Sequence, residues 1–147
     1  MLRLRSRSAQ TLPRWLRETS SQYLGVFFGD GKASHWTRSY SDAETWEPPI
    51  AIGEGVIGDD CETAHGLKYF FELRAGAGAT FDVWVKALDN QLATVRGWTA
   101  TNLTAVDEAP IACGESTEGQ SAWRIAVNYY LGGALTFKTS PDVITFA

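Results

Sequence analysis

The sequence predicts an all-β protein built from about two and a half copies of a β-hairpin repeat, with a basic N-terminal arm in front of them. Its 147 residues include six Trp, five Tyr and seven Phe but one Met, and aromatic side chains favour strands. Short apolar runs end repeatedly in glycine-rich turns, and two short sequence patterns recur along the chain. We therefore divide the chain into an arm at residues 1–22 and a β-repeat domain at residues 23–147.

Three hairpins are predicted from apolar runs that are followed by glycines. The runs and their turns are 26–28 before 29–31, 69–71 before 76–78, and 129–131 before 132–133. Glycine supplies the positive φ that tight hairpin turns require. The alternation of apolar residues in the strands predicts two buried faces. These are Phe81, Val83, Val85 and Ala87, and Trp123, Ile125, Val127, Tyr129 and Leu131.

The segments that follow the hairpins also recur. Residues 38–46 align without gaps on residues 138–146, and residues 49–54 match residues 110–115 in the same order. A less regular middle copy lies at residues 86–90. The last copy stops at its turn. This predicts that the last repeat lacks its closing strand and exposes an edge of its sheet. Such edges are usually paired or covered, by a neighbouring chain or by the N-terminal segment of the same chain. The sheets could close as propeller blades or stack as a sandwich.

The turn at residues 38–46 resembles the Asp-box of bacterial-neuraminidase-type repeats, which has the form Ser-x-Asp-x-Gly-x-Thr-Trp. Ser39, Thr45 and Trp46 match, and the aspartate, Asp42, is displaced by one position. The resemblance implies a structural turn, in which the aspartate accepts backbone hydrogen bonds and the aromatic residue fills the core. The residues expected to hold the two turns are Asp42, Thr45, Trp46, Asp142, Thr145 and Phe146.

Degenerate repeats of this kind behind a basic N-terminus look like those of tailed-bacteriophage virion proteins of the tail, neck or fibre attachment region. The resemblance implies a virion structural component, assembled in the host cytoplasm, whose partners are other copies of itself and neighbouring virion proteins. Self-assembly would use the arm and the open β edge.

The arm has a charge opposite to that of the rest of the chain. The formal net charge is −4, yet residues 1–20 contain five arginines and one glutamate. Thr11 as a cap and Pro13 in a first turn indicate a short helix in the arm. The residues expected to bind a partner are Arg3, Arg5, Arg7, Trp15 and Arg17. They suit an acidic protein surface, and because the body is acidic, nucleic acid is not expected as the main partner.

The sequence does not favour a catalytic site or a metal site, so we expect a protein that is not an enzyme and holds no cofactor. A sialidase-like site needs a complete propeller. Cys61 and His65 alone lack the four ligands of a tetrahedral metal site, and Cys61 and Cys113 are interpreted as small apolar side chains, with a disulfide left open. The acidic pairs 59–60 and 107–108 are interpreted as solvated loop charges.

Carbohydrate binding is the alternative function, because exposed aromatic side chains stack on sugars. The chain offers Trp36, Trp46, Trp84, Trp98 and Trp123 for such a platform. No apolar run approaches the roughly 18 residues of a membrane span, so none is predicted.

Overall fold

The structure is a computed structural model and describes residues 2–4, 25–29, 33–39, 44–54, 57–63, 65–116 and 123–147. All regular structure in these residues is β-strand, which confirms the all-β prediction for them. The strands are β1 (Leu2–Leu4), β2 (Gly25–Gly29), β3 (Ser34–Arg38), β4 (Ile50–Gly53), β5 (Gly58–Glu62), β6 (Lys68–Ala75), β7 (Phe81–Leu88), β8 (Thr94–Ala100), β9 (Ala112–Ser116), β10 (Arg124–Leu131) and β11 (Ala134–Ser140). In this described part of the chain no helix is long and apolar enough to cross a membrane.

The strands form three antiparallel sheets, and in each sheet neighbours in space are also neighbours in sequence. The orders are β1-β2-β3-β4, β5-β6-β7-β8 and β11-β10-β9. The chain divides into two compact units, Met1–Val56 with the first sheet and Ile57–Ala147 with the other two. This division differs from the sequence-based one at residue 22, because Leu2–Leu4 already pair with β2 as a strand.

The three hairpins lie where the sequence predicts them. They are β2-β3, β6-β7 and β10-β11. The last is the tightest, because Leu131 pairs with Ala134 across Gly132 and Gly133 alone. Both glycines have positive φ, 58° and 80°, as a two-residue turn matched to the twist of its strands requires.

The second unit has one hydrophobic core to which both of its sheets contribute. Val83 and Val85 of β7 and Ile125 and Val127 of β10 are fully buried, which confirms the two predicted faces at these positions. Leu131, at the hairpin end of the β10 face, is instead 45% exposed. The buried core residues are Cys61, Tyr69, Phe71, Leu73, Val83, Val85, Ala87, Leu103, Val106, Ile111, Ile125, Val127, Tyr129, Val143 and Phe146.

The C-terminal segment that follows β11 joins the two sheets of the second unit. Ala147 exchanges two backbone hydrogen bonds with Thr139 of β11. The Asn102 side chain, just after β8, donates to the carbonyl of Phe146 and accepts from its N–H, at 3.0 and 2.8 Å. The segment thus lies between one edge strand of each sheet.

In the first unit, Phe27, Trp36 and Ile52 of the sheet are buried. The loop after β3 closes with a bridge between Ser39 and Trp46. An ion pair between Arg38 Nε and Glu47 Oε2, 2.8 Å apart, lies beside that bridge.

Candidate assembly surface

The carboxylate of Asp142 organises the turn that follows β11. Its Oδ1 accepts the N–H groups of Ile144 and Thr145, both at 2.8 Å, and the hydroxyl of Ser140 at 2.7 Å. The Ser140 hydroxyl also accepts the N–H of Val143. These bonds favour the ionised form, so the Thr145 N–H first, then the Ser140 hydroxyl and the Ile144 N–H, hold the pKa of Asp142 well below its usual range.

Two further residues of this turn reach the core. Phe146 is 2% exposed, and its ring meets the ring of Phe71 edge-on at a centroid distance of 6.1 Å. Val143 is also buried and has a φ of 62°. In the gapless alignment with the Asp-box, Val143 stands where the box has glycine, the residue for which a positive φ costs least.

The corresponding turn of the first unit differs in what it exposes. Trp46 is 38% exposed and the neighbouring Thr45 is exposed, as is Thr145 in the second turn. Asp42 lies outside the described residues. The structure therefore places Asp142 and Phe146 in one hydrogen-bonded turn whose carboxylate is exposed and whose aromatic ring is buried, whereas Thr45 and Trp46 lie at the surface.

Two other aspartates hold loops of the second unit in a similar way. Asp89 Oδ1 accepts the N–H groups of Gln91 and Ala93 in the turn between β7 and β8, both at 2.9 Å. The two carboxylate oxygens of Asp107 accept the N–H groups of Gly132 and Gly133, at 3.1 and 2.7 Å. Asp107 thus binds the tip of the last hairpin from 25 residues away.

The interpretation of residues 59–60 and 107–108 as solvated loop charges was wrong for Asp59 and Asp60, which lie in strand β5, and incomplete for Asp107, a loop residue that also bonds to another segment. Asp59 lies in β5, is 2% exposed and accepts the N–H of Cys113 at 2.9 Å. Asp107 binds the hairpin tip. Neither contact could be read from the sequence, because both join segments that are distant along the chain.

Strand β11 forms an edge of its sheet, and part of that edge is open. The N–H and C=O of Thr139 bond to Ala147, so they point away from β10. Because backbone groups alternate in direction along a strand, the N–H and C=O of Leu135 and Phe137 also point away from β10. In the described residues no strand pairs with this side of β11. Two N–H and two C=O groups are therefore presented outward.

The side chains at this edge are large and apolar. Leu135 is 64% exposed and Phe137 is 60% exposed. They project on the face of the sheet opposite to the core, where Leu135 lies across from Tyr130 and Phe137 across from Asn128. Open backbone groups beside exposed apolar side chains are the features of a strand that can pair with another chain. We call residues 134–138 of β11 the open edge.

The tryptophans considered for a sugar platform lie in several different environments. Trp36 is buried, and Trp123 packs against the rings of His65 and Tyr69. The guanidinium of Arg74 lies over the rings of both Trp84 and Trp98, at 4.6 and 5.0 Å.

The same arginine pairs with a buried carboxylate. Arg74 Nε donates to Glu72, which is fully buried, at 2.8 Å. This pair fixes the guanidinium over Trp84 and Trp98, so one face of each of these rings is in contact with protein. Trp46, at 38% exposure, is the most accessible described member of the set.

The remaining candidate residues are the two cysteines and those of the N-terminal arm. Cys61 and Cys113 are free thiols, the first buried and the second packed against the core. Over the described ranges no three His, Cys, Asp or Glu side chains converge as a metal site. Arg3 lies in β1, whereas Arg5, Arg7, Trp15 and Arg17 and the predicted helix near Thr11 and Pro13 fall outside the described residues.

Comparison of the chain with known protein families, with curated proteins and with solved structures gives no match.

Proposed function

We propose that this chain is a non-enzymatic structural component that acts by assembly, in the tail or neck of a tailed bacteriophage. It multimerises through its basic arm and through the open edge of β11, with other copies of itself and with neighbouring virion proteins. The observation that carries the proposal is the open edge, where no described strand pairs with the outward backbone groups of Leu135 and Phe137 and both side chains are exposed.

The succession of sheets supports the repeat interpretation on which the proposed role depends. Among the described strands, two sheets have four strands each, with a hairpin between two outer strands, and the third has three, with the hairpin strand β11 at its edge. The second copy of the 49–54 pattern, at residues 110–115, overlaps β9 of this third sheet, which has one described strand fewer than the other two. A further strand from a neighbour would give it the same size as the other two.

The Asp142 turn supports the resemblance to the Asp-box. A carboxylate that accepts backbone N–H groups and an aromatic residue that reaches the core are the two features that the resemblance implies. Both serve structure, which accords with a protein that works through its surfaces.

The experiment is a mass measurement on the purified chain by light scattering after size exclusion, at two salt concentrations. We expect an oligomer whose mass falls at high salt, because salt screens attraction between a basic arm and an acidic body. A monodisperse monomer at both salt concentrations and at every loading concentration would contradict the proposal, and if that monomer bound a glycan array it would support carbohydrate binding instead.

The arm requires its own variant. Deleting residues 1–20 would also remove β1, which pairs with β2, so charge reversal is the cleaner test. We expect the triple variant Arg5→Glu, Arg7→Glu, Arg17→Glu to assemble less than the parent chain. The matched triple variant, in which the same three arginines are replaced by Lys, keeps the positive charge and should assemble nearly as the parent chain does. Equal assembly of all three chains would remove the arm from the proposal.

A further inference from the structure

We infer that the open edge of β11 pairs with the open edge of a second copy of this chain, antiparallel and about a two-fold axis at Thr136. This inference rests on the proposed assembly function and adds to it the partner, the register and the symmetry.

The extent of the free edge sets the register. Ala147 occupies the outer side of Thr139, and Gly132 and Gly133 form the turn at the other end. The stretch that remains is residues 134–138, whose middle residue is Thr136. Antiparallel pairing of this stretch with itself therefore centres on Thr136. It places Leu135 opposite Phe137 of the second copy, and it brings the second copy's hairpin turn at Gly133 against Ala147, which must move aside for the two strands to pair.

The backbone groups of the open edge are self-complementary in that register. Two residues directly opposite each other exchange two hydrogen bonds when the backbone N–H and C=O of each point toward the other strand. Leu135 of one copy would exchange two backbone hydrogen bonds with Phe137 of the other copy. Phe137 of the first copy would exchange two more with Leu135 of the other. The two N–H and two C=O groups on each copy are then all bonded, and the sheet continues across six strands.

The side chains are compatible with the same pairing. Leu135 would lie beside the second copy's Phe137 on the outer face, so the two exposed apolar side chains shield each other. On the inner face Thr136 meets Thr136, a favourable cross-strand pair. Lys138 would face Ala134, so no like charges oppose one another across the axis.

Pairing over five residues buries less surface than the roughly 800 Å² per partner of a typical stable complex. We therefore expect a weak dimer in dilute solution, which becomes effective where copies are held at high local concentration in a particle. A covalent trap is the appropriate test of so weak a contact.

The trap is Thr136→Cys, under mild oxidation. Opposite residues in a pair that is not hydrogen-bonded have Cα atoms about 4.5 Å apart, within the range of a disulfide. We expect this variant to form a covalent dimer. The parent chain, whose Cys61 and Cys113 are buried or packed against the core, should not.

Two further variants test the register. Ala134→Cys and Lys138→Cys should each give little dimer alone, because neither residue faces itself, whereas an equimolar mixture should give the mixed dimer. Strong dimerisation of Ala134→Cys alone would overturn the register.

The outcomes separate this inference from the proposed function. If Thr136→Cys forms no more dimer than the parent while the parent chain still forms oligomers, the two-fold pairing is wrong and assembly through other surfaces stands. If Thr136→Cys fails and Phe137→Lys nevertheless abolishes binding to tail proteins, the edge receives a strand of a different protein. A parent chain that remains monomeric at every concentration and a Thr136→Cys variant that does not cross-link would overturn both.

Discussion

The turn after the first hairpin and the turn after the last hairpin share a sequence pattern but bury their closing aromatic residues to different extents. Phe146 is 2% exposed and contacts Phe71 in a core that two sheets share. Trp46 is 38% exposed and closes its loop through a bridge to Ser39. A shared local pattern therefore specifies the reversal of the chain, whereas the strands available for packing decide whether the aromatic residue contributes to a core.

The largest expected difference between the two turns is the cost of removing the aromatic side chain. Phe146→Ala should lower the free energy of unfolding by about 3–5 kcal/mol, because it leaves a cavity in the shared core. Trp46→Ala should cost about 1–2 kcal/mol, because part of that ring is already in water. Chemical denaturation of both variants measures the difference. Equal losses would mean that the two turns are energetically alike despite their different burial.

An intermediate effect is expected at the carboxylate of the second turn. Asp142→Ala should cost about 1–2 kcal/mol, as the loss of a capping side chain does. Glu108→Ala, which removes an exposed carboxylate from the same unit, should have little effect. Urea denaturation at neutral pH compares the two, and a loss at Glu108 as large as that at Asp142 would contradict the role of the turn bonds.

The same carboxylate predicts a dependence on pH. The pKa of Asp142 is lower in the folded protein than in the unfolded chain. Its stabilisation is therefore complete above about pH 4, the ordinary aspartate pKa, and is lost as the pH falls through the lower pKa of the folded state. We expect Asp142→Asn to lose less stability than the parent chain over that acidic range. If the free energy of unfolding fell equally with pH in the two chains, this explanation would be wrong.

The smallest effect is expected at Val143. Val143→Gly removes a buried side chain but also relieves a positive φ, which costs a residue with a Cβ about 1–2 kcal/mol. The net loss should be about 1 kcal/mol. Val127→Gly is the matched control, because Val127 is equally buried in a regular strand and should lose about 3 kcal/mol. Similar losses in thermal unfolding would show that the backbone at Val143 is not strained.

The sequence was sufficient for the parts of the fold that depend on local signals. The pair Gly132-Gly133 between alternating apolar strands predicts a hairpin, and the alternation at Val83 and Val85 predicts which face is buried. These signals lie within a few residues of the structure that they specify, so they do not require knowledge of distant contacts.

The sequence did not reveal features that depend on distant residues. Asp59 reads as a loop charge, because its bond to the Cys113 N–H joins segments 54 residues apart. Leu2–Leu4 were assigned to an arm because nothing local indicates the pairing with β2. The recurrence of the 38–46 pattern likewise could not show that Phe146 would be buried while Trp46 remained accessible.

The central claim, assembly through β11, is tested most directly by the concentration dependence of the mass in analytical ultracentrifugation. Phe137→Lys replaces the exposed aromatic side chain of the open edge with a charged one. Val95→Lys replaces an exposed apolar side chain of β8 in the same way. We predict that the mass of the parent chain and of Val95→Lys rises with concentration while that of Phe137→Lys stays lower. Self-association of Phe137→Lys as strong as that of the parent chain would contradict the claim.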